Sequence, residues 1–200
     1  MTLLRRDLLG HAGLLLALGG CANGPAAPPP RYYRMRLEPP AGAAPSARAA
    51  AGASEAWQLV GGVKLPEHLD REPLWMPFGD SGLQPLDGHR WAEPLRDAVP
   101  RLLRHDLEAL RGPGTVWAGV PPGGPAARQL RVELQWLEPA VDRRSVRLAA
   151  RWSLSRTGAP PEVHDTRLDA PSSSAEPDAL VAAHRLALWQ LAERIVQATR

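Results

Sequence analysis

The only cysteine in the chain, Cys21, stands where an apolar run ends, and its position decides which residues are left to fold. Ahead of it, Arg5 and Arg6 give a positively charged opening. Residues 8–18 (LLGHAGLLLAL) are mostly apolar but too short to span a bilayer as a stable anchor. A lone cysteine cannot form an intramolecular disulfide, so whatever follows must hold itself together through its core. About 170 residues remain after residue 30, enough for one core and too few for two. The apolar fraction of 44% is ordinary for a packed domain.

Leu18-Gly19-Gly20-Cys21 places an aliphatic residue and two small residues before the thiol, the pattern of a bacterial lipobox. Small residues let a peptidase approach the backbone, and the thiol must carry diacylglycerol before the cut on its N-terminal side. Residues 1–20 therefore read as a cleaved lipoprotein signal peptide, with Cys21 as the lipidated N-terminus. Arg5-Arg6-Asp7 also resembles a twin-arginine export signal, so the export route stays open. Ala22 follows the cysteine in place of the aspartate that tends to retain enterobacterial lipoproteins at the inner membrane, which favours the outer membrane. Three acyl chains on one residue make anchoring effectively permanent. Residues 23–30 (NGPAAPPP) form an extended spacer, so 21–30 divides the anchor from a domain over 31–200.

In that domain the pattern is first strand-like. Residues 31–37 alternate Tyr33, Met35 and Leu37 with arginines and predict a half-buried strand. Residues 41–54 are Ala-rich and read as a surface loop. Residues 56–65 predict a strand with a bulge or bend at Gly61-Gly62. Residues 74–78 predict a short strand that Pro77 confines to an edge, followed by a turn at 79–82 and a short strand at 83–86. Leu95, Val99, Leu102, Leu103, Leu107 and Leu110 recur at helical spacing up to Gly112. Pro100 requires this helix either to start at Asp97 or to kink. After a short strand at 115–120, Leu130, Val132, Leu134 and Trp136 alternate with polar residues. Val146, Leu148, Ala150, Trp152 and Leu154 do the same, which predicts an antiparallel hairpin with both tryptophans inward. A polar edge strand follows at 162–168, and then a long helix from Pro177, with Ser174 as its cap. The fold class expected is α+β: a mostly antiparallel sheet with two main helices packed against it, after a cleaved signal peptide.

Little in the chain points to catalysis. The histidines beyond the leader (His68, His89, His105, His164, His184) show no zinc-binding spacing, and Ser172-Ser173-Ser174 forms no nucleophile elbow. No second cysteine can join a metal site, and Gly123-Gly124 is flanked by prolines where a phosphate loop would need a strand and a helix. The expectation is a non-enzyme with no catalytic residue, metal or cofactor. The net charge of +3 falls to +2 without Arg5, Arg6 and Asp7, and no basic block follows, which argues against nucleic acid. Lys64 is the only lysine. Residues 65–71 supply a candidate partner-binding edge, with Leu69 exposed beside Asp70 and Arg71. The plainer reading is a loop in which Asp70 caps a turn. Trp91 is a second candidate contact, although such a residue more often packs between helix and sheet.

The ordered segments resemble the PqiC-like auxiliary lipoproteins of MCE intermembrane transport systems. The segments are Arg31-Tyr32-Tyr33-Arg34-Met35, Val63-Lys64-Leu65-Pro66-Glu67-His68-Leu69-Asp70-Arg71, Leu83, Arg90-Trp91-Ala92-Glu93-Pro94-Leu95, Arg128-Gln129-Leu130-Arg131-Val132, Trp152 and the closing helix. The likeness covers nearly the whole chain beyond the leader, with Pro100, the proline-broken 74–78 and the Ala-rich loop as departures. It implies an outer-membrane-anchored periplasmic protein that assists an MCE-domain protein and its ABC permease in moving phospholipids or other hydrophobic molecules, and it leaves room for a homo-oligomer. The other class compatible with the residues is a stand-alone envelope lipoprotein binding a hydrophobic ligand in its own cavity.

Overall fold

The structure, a computed structural model, describes residues 28–43, 55–156 and 158–199. The signal segment, Cys21, most of the spacer and most of the Ala-rich stretch lie outside them. In chain order the elements are β1 (Arg31–Tyr33), β2 (Trp57–Lys64), β3 (Pro73–Phe78), β4 (Gly82–Trp91), α1 (Leu95–Arg111), β5 (Val116–Trp117), β6 (Arg128–Pro139), β7 (Ser145–Arg156), β8 (Glu162–Pro171) and α2 (Pro177–Ala198).

The class is α+β, built on two sheets rather than one. A five-stranded sheet runs β5-β2-β6-β7-β8, and a three-stranded sheet runs β1-β4-β3. The β6–β7 hairpin is the long antiparallel centre of the five-stranded sheet, continued by β8. Pairing of β2 with β5 and β6 is parallel, as is β1 with β4, so both sheets are mixed. In the larger sheet the reason is connectivity: α1 lies between β2 and both β5 and β6 in the chain, and a helical crossover lets the later strand return in the same direction. α1 rests on β2 and β5, α2 rests on β6, β7 and β8, and the helices touch each other. One continuous core results, with Trp57, Trp152 and Trp189 among its largest buried side chains.

Local chemistry explains most boundaries. Gly61 and Gly62 have φ of +71° and +68°, and the β2–β6 register shifts between Leu59 and Val63. Only glycine adopts two such residues in succession without strain, so the pair makes the expected bulge. α1 starts at Leu95, not at Asp97, and carries Pro100 inside it. β3 carries Pro73 and Pro77 on the edge of its sheet, where a missing N–H costs no ladder bond. α2 begins with Pro177 after an N-cap at Glu176 rather than Ser174, while Ser174 Oγ accepts from the Glu176 N–H at 3.2 Å. The first strand ends at Tyr33, short of the expected residue 37, so Met35 is buried but Leu37 is exposed.

Trp136 departs most from the alternating pattern. Leu134 pairs with Ala150, yet Trp136 pairs with Ala149 and Leu137 with Leu148. Gln135 is therefore an extra residue in β6, and one extra residue reverses the face of everything after it. Trp136 points outward, 46% exposed, and Leu137 takes the core position instead. Trp152, on the unbulged strand, is 1% exposed as expected.

Candidate functional site

The segment between β2 and β3 carries three of the four candidate contact residues, and the structure divides them by role. Leu69 is 7% exposed, which corrects the expectation that it faces solvent. A turn in which the Leu69 N–H donates to the Pro66 carbonyl at 3.0 Å folds it inward. There it lines a cavity of about 20 Å³ with Leu74, Trp75, Met76, Trp91 and His184. That volume holds about one water.

Trp91, last residue of β4, is also 7% exposed and meets the His184 ring edge-on, 5.4 Å between centroids. Leu69 and Trp91 are thus brought together, as walls of one core cavity where the small sheet meets α2. The Trp75 indole N–H is buried without a partner.

Asp70 reaches forward to α1. The N-cap position, Pro94, offers no side-chain bond to the first turn. Asp70 supplies it from 26 residues away: Oδ1 accepts the Arg96 backbone N–H at 3.1 Å and Oδ2 accepts its guanidinium at 2.7 Å. A carboxylate at this place satisfies an orphan donor and faces the positive end of the helix dipole. Arg71 pairs with Glu67 at 3.1 Å, with its own side chain 55% exposed. Of the four candidates, Arg71 presents the most side chain to solvent.

A buried ionic cluster stands between the helices. Arg185 of α2 donates to both oxygens of Asp106 of α1, at 2.5 and 2.7 Å, and both residues are buried. Its Nε–H and the second Nη2–H donate to the carbonyls of Arg36 (2.8 Å) and Leu37 (3.2 Å), which pins the chain after β1 to the helix pair. Burial lifts the Asp106 carboxyl to about 6 against the pull of Arg185. Burial also drops His184 to about 4, and its Nδ1–H donates to the Leu180 carbonyl at 2.7 Å. The sequence did carry a signal for this cluster. Asp106 interrupts the apolar stripe Leu102-Leu103-Leu107-Leu110, and a charge on the buried stripe of a helix needs a partner on the element facing it.

Among the described residues, no group of three or more His, Cys, Asp or Glu side chains is placed to hold a metal ion, and no helix is long and apolar enough to cross a membrane. Cys21 lies outside those residues.

Two solved structures share this fold at 18% sequence identity. One, an uncharacterized protein, superposes with a TM-score of 0.69 over 86% of this chain and 100% of its own. The other is a protein from Xanthomonas campestris of family DUF330, with a TM-score of 0.60 over 83% of this chain and 91% of its own. No curated protein matches in sequence. A family profile described as the ABC-type transport auxiliary lipoprotein component matches residues 36–196, from just after β1 almost to the end of α2. By that match the chain belongs to the family of ABC-type transport auxiliary lipoprotein components, the PqiC-like family.

Proposed function

We propose that this protein is the lipid-anchored, non-catalytic adaptor of an MCE-type intermembrane lipid transport system, held by Cys21 at the periplasmic face of the outer membrane. The observation that carries the reading is the family match over residues 36–196 following directly on a lipobox and a proline spacer. Its partners are an MCE-domain protein and the ABC permease that protein serves. The absence of a closed chamber supports docking over carriage: the cavity at Leu69 and Trp91 holds about 20 Å³, and the larger hollows, such as one of about 420 Å³ between residues 34–41 and α2, lie open to solvent and would not shield an acyl chain from water. That absence weighs against the stand-alone ligand binder.

In this reading the partner contact falls on the rim of the 65–71 segment, where Arg71 is exposed, while Leu69 and Asp70 hold the segment in place behind it. The test is fractionation and affinity capture from cells in which the chain and its neighbouring transport proteins are expressed. The protein should sediment with outer-membrane markers, carry an acylated Cys21 by mass spectrometry, and capture an MCE-domain protein. Arg71→Glu should weaken that capture without moving the melting temperature. Sedimentation with the inner membrane, a free Cys21 thiol, or co-purified lipid on a protein that captures no MCE partner would overturn the reading.

A further inference from the structure

At one end of the five-stranded sheet, Glu55 stands among three guanidinium groups. Arg128, the first residue of β6, donates its Nε–H to Glu55 Oε2 at 2.7 Å. Arg156, the last of β7, donates to Oε1 at 2.9 Å. Arg111, the last of α1, donates to the Glu55 backbone carbonyl at 2.8 Å. Arg128 and Arg156 are direct cross-strand partners, an arrangement of like charges that weakens a sheet unless an anion lies between them. One carboxylate against three guanidinium groups leaves an excess of two positive charges at this corner.

Arg111 shows the deficit most clearly. Its guanidinium lies over the Trp57 indole, 3.6 Å from the ring centroid, and its Nε is buried with no hydrogen-bond partner. Burial and the neighbouring Arg128 pull its pKa down to about 10. A buried N–H donor on a cation is costly to leave unmet, and the flat indole holds the guanidinium plane in one orientation.

We propose that the Arg111–Arg128–Arg156 corner binds a phosphate group, either free phosphate or the phosphodiester of a lipid headgroup. Guanidinium forks match phosphate oxygens in pairs, which an ammonium cannot do. Glu55 occupies two of the donors in the resting protein and competes with the incoming anion. It therefore holds the resting affinity down, and its removal exposes the site. The site's chemistry does not depend on the adaptor role.

The experiment is calorimetric titration of the full chain in neutral detergent and phosphate-free buffer, with inorganic phosphate in one arm and dihexanoyl phosphatidylglycerol in the other. Saturable binding of one ligand per chain is expected. Preference for inorganic phosphate assigns the site to the free ion, and preference for phosphatidylglycerol assigns it to a headgroup. Glu55→Gln should tighten binding, and Arg156→Ala should weaken it about tenfold, the worth of one charge-assisted hydrogen bond. Arg156 is 57% exposed on its side chain, so the second variant should keep its melting temperature. Absence of saturable binding by either probe, in the wild type and in Glu55→Gln alike, would overturn the proposal. So would binding that Arg156→Ala leaves unchanged.

Discussion

Two tryptophans on one hairpin show how far a single residue's environment can be read from sequence. Trp136 and Trp152 share the same alternating pattern, yet one is 46% exposed and the other 1%. Trp152 donates its Nε1–H to Thr166 at 3.0 Å and stacks on His164 at 4.1 Å between centroids, so its removal opens a cavity and strands a hydroxyl. Trp152→Ala should cost roughly 3–5 kcal/mol in chemical denaturation, and Trp136→Ala below about 1 kcal/mol. Equal losses would mean that the bulge does not turn Trp136 outward. Leu69→Ala should behave as a core truncation, at about 2–5 kcal/mol, because the side chain is buried although its sequence neighbours are polar. The buried titratable groups predict a pH signature. His184 is held at about 4 against an ordinary 6.5, so between those values the unfolded chain binds a proton that the folded chain does not, and folding loses stability as pH falls. Asp106 acts in the opposite sense: raised from 3.8 to about 6, it keeps its proton longer in the folded chain and loses stability as pH rises through that window. His184→Gln removes the first effect and leaves the second. The stability gap between variant and wild type should therefore narrow as pH falls from 6.5 to 4, and a gap that widens would contradict a neutral buried His184.

At the level of elements, both helices, the Gly61-Gly62 bulge, the proline-marked edge strand and the β6–β7 hairpin were legible, because each follows from local spacing and local backbone chemistry. Three things were not. The bulge at Gln135 has no glycine or proline to mark it and is visible only in the pairing with β7. Parallel pairing depends on which strand the chain returns to, which periodicity does not encode. The role of Asp70 needed a contact across 26 residues, so a loop acid was visible but its helix was not. Asp70→Ala should remove the side-chain cap from α1 and cost about 1 kcal/mol. The hairpin joining β3 to β4 gives a sharper case. The Phe78 ring lies across Gly82, and a Cβ on Gly82 would stand 2.3 Å from that ring and 2.6 Å from the Phe78 carbonyl oxygen. The ring can swing away but the carbonyl cannot, since Phe78 and Gly82 are paired in the ladder. Gly82→Ala should destabilise the domain by about 1–3 kcal/mol, and Phe78→Ala in the same background should recover only part of that loss. Full recovery would place the clash on the ring alone.

For the molecule as a whole, the sequence reads residues 21–30 as anchor and spacer and 31–200 as the domain, and Arg31–Arg200 forms one compact unit. If Cys21 is lipidated as proposed, a spacer from there to Arg31 spans at most about 30 Å, which would keep the folded body near the membrane. The residues just inside this boundary are tied down at both ends: β1 pairs with β4 from Arg31 to Tyr33, and Tyr33 shares a 2.9 Å hydrogen bond with His89. Met35 is buried at 3% exposure. The Arg36 and Leu37 carbonyls then accept two of the bonds that satisfy Arg185. A fragment beginning at Arg31 keeps all of this and should fold as α+β, with a melting temperature indifferent to reductant and chelator. A fragment beginning at Glu38 loses a strand, a core methionine and two acceptors of a buried guanidinium, although seven residues are a small part of the chain. Leaving a buried cation short of acceptors is costly in itself, and the lost burial adds to it, so the shorter fragment should be less stable by several kcal/mol. The two fragments are compared by urea denaturation at neutral pH. Coincident curves would mean that residues 31–37 belong to the tether, and that Asp106 alone suffices to hold Arg185.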